Sequence, residues 1–174
     1  LILYGLFQKV VIADNLAMVV GNGHFGGSLP DNGMYILLAI YAFAFQIFCD
    51  FAGYSNIARG VAACMGFDLM VNFRVPYFSV NPVQFWQRWH ISLSSWLRDY
   101  LYIPLGGNRK GLKTTARNLV ITMLLGGLWH GAAWNFVVWG GYHGLLLAGH
   151  RVFQKWYSSE ERLSNPPYLG RLIS

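Results

Sequence analysis

The chain has 174 residues, of which 55% are hydrophobic, 17% aromatic and only 11% charged, less than half the charged share of an ordinary soluble domain. So few charges cannot clothe a soluble surface of this length, whereas seven Trp and ten Tyr suit the interfacial belts of a membrane protein, where an apolar ring and a polar tip meet lipid and water. The formal net charge of +6 does not point to nucleic acid, because the Lys and Arg residues flank apolar runs, as topology determinants and headgroup contacts do.

The sequence opens at Leu1 inside an apolar stretch, with neither an initiator methionine nor a signal peptide, so it reads as an interior piece of a longer protein. Residues 1–20 are apolar but interrupted by Lys9, Asp14 and Asn15, which predicts a helix that ends a span or lies in the interface. Residues 21–33 are a glycine-rich loop, and His24 within it reads as solvated. A helix over 34–65 is long enough to cross the hydrocarbon. It carries Asp50, Tyr54, Ser55 and Asn56, which at membrane depth should face the protein interior or a water-filled cavity. Cys49 and Cys64 lie in apolar surroundings with no CxxC or Cys/His spacing; they read as buried free thiols, and no metal site is expected.

Residues 66–82 form a loop, after which Asn81 caps a helix with Pro82 at its first position. That helix, predicted over 82–103, places Phe85, Trp89, Leu93, Trp96 and Tyr100 on one aromatic face and is too polar for a simple lipid-facing span. Pro104 and Gly106–Gly107 stop it. The basic loop 107–118 holds Arg109, Lys110, Lys113 and Arg117 and is cytoplasmic by the positive-inside rule. From Leu119 to His150 there is no charged residue, within a helical region over about 119–157. Both flanks of that region are basic, so one straight span would leave positive charge on both sides of the bilayer. A hairpin or re-entrant pair broken at Gly126–Gly127 or His130–Gly131 fits better. The polar, proline-interrupted tail reads as a loop. The fold class is therefore an all-α, polytopic helical membrane protein, with 1–174 a single membrane domain of long, broken and re-entrant helices.

Two histidines stand out. His130, in LLGGLWHGAAWNF, lies within the uncharged run, where an ionisable residue is a candidate functional site. Gly126, Gly127 and Gly131 would let another backbone or a ligand come close. An imidazole titrating near neutrality suits proton removal from a hydroxyl, although a packed histidine bonded to a backbone carbonyl accounts for the residue equally well. His90 sits between Trp89 and the serine-rich stretch ISLSS. No GxSxG elbow is present, and Ser92, Ser94 and Ser95 fall inside a helix, which argues against a serine hydrolase. His143 reads as a packing histidine and His150 as interfacial; on one unbroken helix His143 and His130 fall on different faces, so the pair does not suggest a metal.

Three segments, DFAGYSNIARGVAACMGFDLMVNFRVPY, FWQRWHISLSSWLRDYLYIPLGGNRKG and MLLGGLWHGAAWNFVVWGGYHG, resemble in order and spacing the membrane-bound O-acyltransferase family, above all its bacterial branch concerned with alginate O-acetylation. The resemblance implies a many-span helical protein of which this chain is the middle portion, with a tunnel that brings acyl donor and acceptor together. It matches the family's signature histidine to His130 and its second site position to His90. Arg88, Trp89, Asn108, Arg109, Trp129 and Asn135 in and beside these elements are then expected to contact substrate. His130 would act as general base, and His90 would position the donor carbonyl or stabilise charge on it. No bound cofactor is expected. The donor would be acetyl-coenzyme A, docking near Arg109 and Lys110, and the acceptor the hydroxyls of an extracytoplasmic polysaccharide such as alginate. The implied setting is the bacterial inner membrane, multi-pass, with membrane lipid and a periplasmic acetyltransferase as partners and no nucleic acid. Two other readings are an acyl-group conduit that does no chemistry and a membrane anchor for a separate periplasmic acetylase.

Overall fold

The computed structural model describes residues 1–21 and 33–164, with side chains through Ser158; the loop that holds His24 and the end of the tail lie outside the described residues. Every regular element among them is a helix. The chain comprises two compact units, Leu1–Phe73 and Arg74–Ser174.

The first unit pairs helix α1 (Ile2–Gly21) with helix α2 (Gly33–Cys64), both long and apolar enough to cross a membrane. They run antiparallel: Gly5 and Gly53 meet face to face, and Gly60 meets Ile2. A Cβ on Gly5 would lie 2.6 Å from the Gly53 carbonyl oxygen, so glycine here permits backbone-to-backbone packing of the kind that holds helices together in lipid. The middle of α1 widens into a π-helical stretch, Phe7–Ala13. It turns Gln8 and Lys9 toward α2, where Lys9 pairs with Asp50 and lies 3.9 Å from Asp14, and Asn56 donates to the Gln8 side chain at 2.8 Å. Lys9 and Asp50, and Gln8 and Asn56, thus satisfy each other, which is what low-dielectric surroundings demand.

Tyr54 is 66% exposed on this chain, and one expectation for this unit needs correction. Only Cys49 of the two free cysteines is buried; Cys64, at the end of α2, is exposed. Beyond it the chain folds back along α2, with Phe73 edge-on to Phe48 and Phe51 at 5.7 and 5.1 Å between ring centres.

The second unit begins with a short 3-10 turn, Pro76–Phe78, and helix α3 (Pro82–Arg88). Asn81 caps α3 as predicted, its side chain accepting from the Gln84 N–H at 2.8 Å, while the Gln84 side chain reaches back to the Val80 N–H at 2.9 Å, a reciprocal capping arrangement. The single helix expected over 82–103 is broken, however. Trp89 is extended, and His90 takes a left-handed conformation with φ 43° and ψ 57°. Helix α4 (Ile91–Leu97) then restarts and runs into a π-helical stretch, Arg98–Tyr102. The Ser94 hydroxyl donates to the Trp89 carbonyl at 2.9 Å and so ties the break together. The aromatic face splits accordingly: Phe85 and Trp89 stack on each other, and Trp96 stacks separately on Tyr100.

Helices α5 (Leu112–His130) and α6 (Trp134–Ser164) form the antiparallel hairpin that the basic flanks require. Its break falls at His130–Gly131, and α5 runs uninterrupted through Gly126–Gly127 because those glycines serve packing instead. A Cβ on Gly127 would collide with the Phe136 carbonyl, one on Gly140 with the Met123 carbonyl, and one on Gly144 would lie 2.8 Å from the Val120 Cα. Gly126 faces Leu97 of α4. The basic loop is shorter than predicted, since Lys113 and Arg117 already belong to α5, and the helix at the other end continues to Ser164 through the Glu and Arg residues of the tail, both good helix formers. The loop itself is pinned by Asn118, which is wholly buried and donates to the carbonyls of Leu105 and Gly107, both at 3.1 Å.

Candidate functional site

His90 and His130 reach the same place from separate elements of the second unit. His130 is the last residue of α5, and His90 stands at the break between α3 and α4. Trp129 lies against both: its ring centre is 6.1 Å from that of His90 and 5.0 Å from that of His130.

The His130 ring is held by aromatic neighbours, Phe136 at 5.9 Å in a stacked arrangement and Trp139 at 5.2 Å edge-on. It is exposed, and among the described residues no hydrogen bond occupies its nitrogens. This differs from a packed histidine satisfied by a backbone carbonyl. His130 stands at the hairpin turn, at one of the two breaks expected from the sequence. A side chain on Gly131 would run into the Phe136 ring at 2.9 Å, so glycine there lets the ring brace His130.

His90 is placed by backbone strain. A left-handed conformation costs a non-glycine residue about 1–2 kcal/mol, and such residues concentrate where a site needs a side chain aimed in an otherwise inaccessible direction. The reading of ISLSS as ordinary helix holds, but the histidine before it is the strained residue. No glycine or proline marks that break, so periodicity alone misses it.

The remaining candidates divide. Trp89 belongs to an aromatic wall behind His90, stacked with Phe85 at 5.6 Å and tilted against Tyr77 at 5.9 Å. Asn135 lies exposed in the first turn of α6, past the hairpin turn from His130. Among the described residues the Arg88 side chain reaches only the Phe78 carbonyl, at 3.5 Å, and its own carbonyl accepts from the Arg74 N–H; these contacts hold the loop. Asn108 and Arg109 precede α5, whereas His130 ends it; a helix of that length separates its ends by about 27 Å at 1.5 Å per residue. The structure therefore does not bring these two to the histidines.

The residue that sequence reasoning undervalued is His143. It packs edge-on to Trp86 at 5.2 Å and lies against Trp139 at 4.8 Å, and Trp139 in turn touches His130. The turn at Gly131 cancels the single-helix geometry that set the two histidines on different faces. One aromatic cluster thus runs from α3 through α6 to His130. Beside it, a cavity of about 580 Å³ extends from Trp86 and Ile91, next to His90, to Asn108 and Arg151 at the basic end. Ser94, Ser95 and Thr122 line it along the way. Among the described residues no group of three or more His, Cys, Asp or Glu side chains is gathered to hold a metal ion.

The membrane-bound O-acyltransferase family profile matches residues 5–164. The chain is 56% identical over 144 residues to a probable alginate O-acetylase of Pseudomonas fluorescens, covering 83% of this chain and 29% of that protein. It is 44% identical to a peptidoglycan O-acetyltransferase of Helicobacter pylori, covering 86% of this chain and 28% of the relative. It is 33% identical to a teichoic acid D-alanyltransferase of Bacillus subtilis, covering 89% and 43% respectively. It spans less than a third of the length of the first two relatives. With the profile matching nearly its whole length, and with the histidines of its RWH and WHG elements on either side of Trp129, this chain belongs to the membrane-bound O-acyltransferase family.

Proposed function

We propose that the chain is the central part of a bacterial inner-membrane enzyme that moves an acetyl group from a cytoplasmic donor toward hydroxyls of an extracytoplasmic polysaccharide, alginate being the favoured acceptor. The observation that carries this reading is the convergence of His90 and His130 on Trp129 from two different elements. The names of the relatives supply the reaction class, acyl transfer to glycopolymers.

The chemistry follows from the residues. An acceptor hydroxyl must lose its proton as its oxygen attacks the acyl carbonyl carbon. His130, with nitrogens open and ring fixed by Phe136 and Trp139, takes that proton. The attack places negative charge on the carbonyl oxygen, and an N–H of the His90 ring donates to that oxygen. Collapse of the tetrahedral species expels the carrier thiolate, which recovers a proton, and leaves the ester. The donor, for which acetyl-coenzyme A is proposed, enters from the basic end, and its acyl arm follows the 580 Å³ cavity toward Ile91. A separate periplasmic acetyltransferase completes the pathway as a partner.

His130→Ala in the full-length protein tests the reading in cells. Polysaccharide acetylation should fall to background at unchanged protein level. Normal acetylation in that variant would remove the catalytic role and favour the anchor.

A further inference from the structure

The cavity of about 580 Å³ has a polar wall that the transfer step leaves unused. Ile91, Ser94, Ser95 and Arg98 line it from α4 and the π-helical stretch that follows. They recur at i, i+3, i+4 and i+7, so they form one stripe of that helix. Thr122 lines the cavity from α5, and Met123 and Leu147 add apolar surface.

A hydroxyl in an apolar wall can in general donate or accept. Here the choice is already made. The Ser94 hydroxyl donates to the Trp89 carbonyl at 2.9 Å. The Ser95 hydroxyl is shared between the carbonyls of Ile91 and Ser92, at 2.7 and 3.0 Å. The Thr122 hydroxyl donates to the Asn118 carbonyl at 2.8 Å. All three protons are spent on backbone within the chain's own turns, and what the three oxygens have left is lone pairs. The wall is therefore a set of acceptors on an apolar background. A hydrocarbon chain lying against these oxygens offers them nothing, and their desolvation goes uncompensated. A carboxylate or a phosphate is itself an acceptor and fits no better. The matching group is a neutral N–H donor on a slim, otherwise apolar chain, and a secondary amide is such a group.

We propose that Ser95 and Thr122, with Ser94, select the carrier arm of the acyl donor by accepting from its amide N–H groups, so that the donor is a thioester on an amide-bearing arm of the pantetheine type. This rests on the reading of the cavity as the donor's path and deepens it, for it names the class of carrier accepted and passes over lipid-linked and phosphate-linked acyl groups. Ser94 also ties the Trp89–His90 break together, so recognition is best separated from the fold at Ser95 and Thr122.

The test is inhibition of acetyl transfer from acetyl-coenzyme A by free pantetheine, with the full-length protein purified in dodecyl maltoside. Pantetheine carries the two amides and the thiol without nucleotide or acyl group. It should compete with the donor, and at least tenfold more strongly than 2-mercaptoethanol, a thiol with no amide. Its inhibition constant should rise about three- to tenfold in Thr122→Val and in Ser95→Ala, the usual worth of one hydrogen bond. Thr122→Ser keeps the hydroxyl and should keep the native constant. Should Thr122→Val fail to fold, Ser95→Ala carries the same comparison. Inhibition by pantetheine no stronger than by 2-mercaptoethanol, or a constant unmoved in both variants, would overturn the proposal and leave the donor's path standing. A native protein that transfers no acetyl group from acetyl-coenzyme A would remove that path and the proposal with it.

Discussion

At the scale of single residues the account rests on what the two imidazoles do and on what holds them. General acid–base catalysis is worth roughly 10²–10⁴-fold in rate, so His130→Ala should lower kcat by at least about 100-fold while leaving the Tm of the protein within a degree or two, because the His130 side chain is exposed. His90 allows a sharper separation of backbone from side chain. Asparagine tolerates the left-handed conformation better than most residues, so His90→Asn should keep the φ 43° turn and the native Tm yet lose most of the activity, when both are measured on one preparation. Full activity in His90→Asn would mean that the strained turn matters and the imidazole does not. Trp129 touches both rings without supplying a proton; it is a positioning residue, and Trp129→Phe should preserve the pH profile that His130→Ala abolishes. How legible these residues are in the sequence differs. His130 is marked by its glycines and by the absence of charge around it. The meeting with His90 depends on a turn at Trp89–His90 that has no breaker residue, and the route from His143 to His130 depends on the chain reversing at Gly131.

At the scale of elements, the α5–α6 hairpin positions His130, and its glycines set how closely the helices approach. Gly140 and Gly141 are adjacent but differ in surroundings. A Cβ on Gly140 meets the Met123 carbonyl, whereas one on Gly141 finds its nearest neighbour, a flexible Leu124 methyl, at 3.6 Å. Gly140→Ala should therefore destabilise the protein by about 1–3 kcal/mol, the usual result of overpacking, and Gly141→Ala should be neutral, as read by thermal unfolding of the full-length protein. Asn118→Ala should cost about 1–3 kcal/mol as well, since it leaves the Leu105 and Gly107 carbonyls without their donor. The helices expected over 1–20 and 34–65 are legible almost to the residue, because the apolar runs end at Gly21, Gly33 and Gly66. The hairpin was readable because basic residues flank an uncharged run on both sides. The role of Asn118 was not, because one asparagine in a basic stretch looks like any other until the loop folds over it.

At the scale of the whole molecule, a basic cluster gathers at one end of the α5–α6 hairpin. Arg109, Lys110, Lys113 and Arg117 lie at the start of α5, and Arg151 shares a cavity with Asn108 and Lys155 there, while the histidines stand at the other end of the hairpin. That separation suits the proposed entry of a donor from the basic side and of an acceptor from the far one. In a full-length protein freed of other cysteines, Arg109→Cys should react with a membrane-impermeant maleimide only in inverted vesicles, and reaction in intact cells would reverse the proposed topology. The most direct test of the central claim is transfer of a radiolabelled acetyl group from acetyl-coenzyme A to an acceptor glycan by the purified full-length protein, native against His130→Ala. The account predicts labelled glycan from the native protein and a loss of at least about 100-fold in the variant; equal transfer by the two proteins would contradict it.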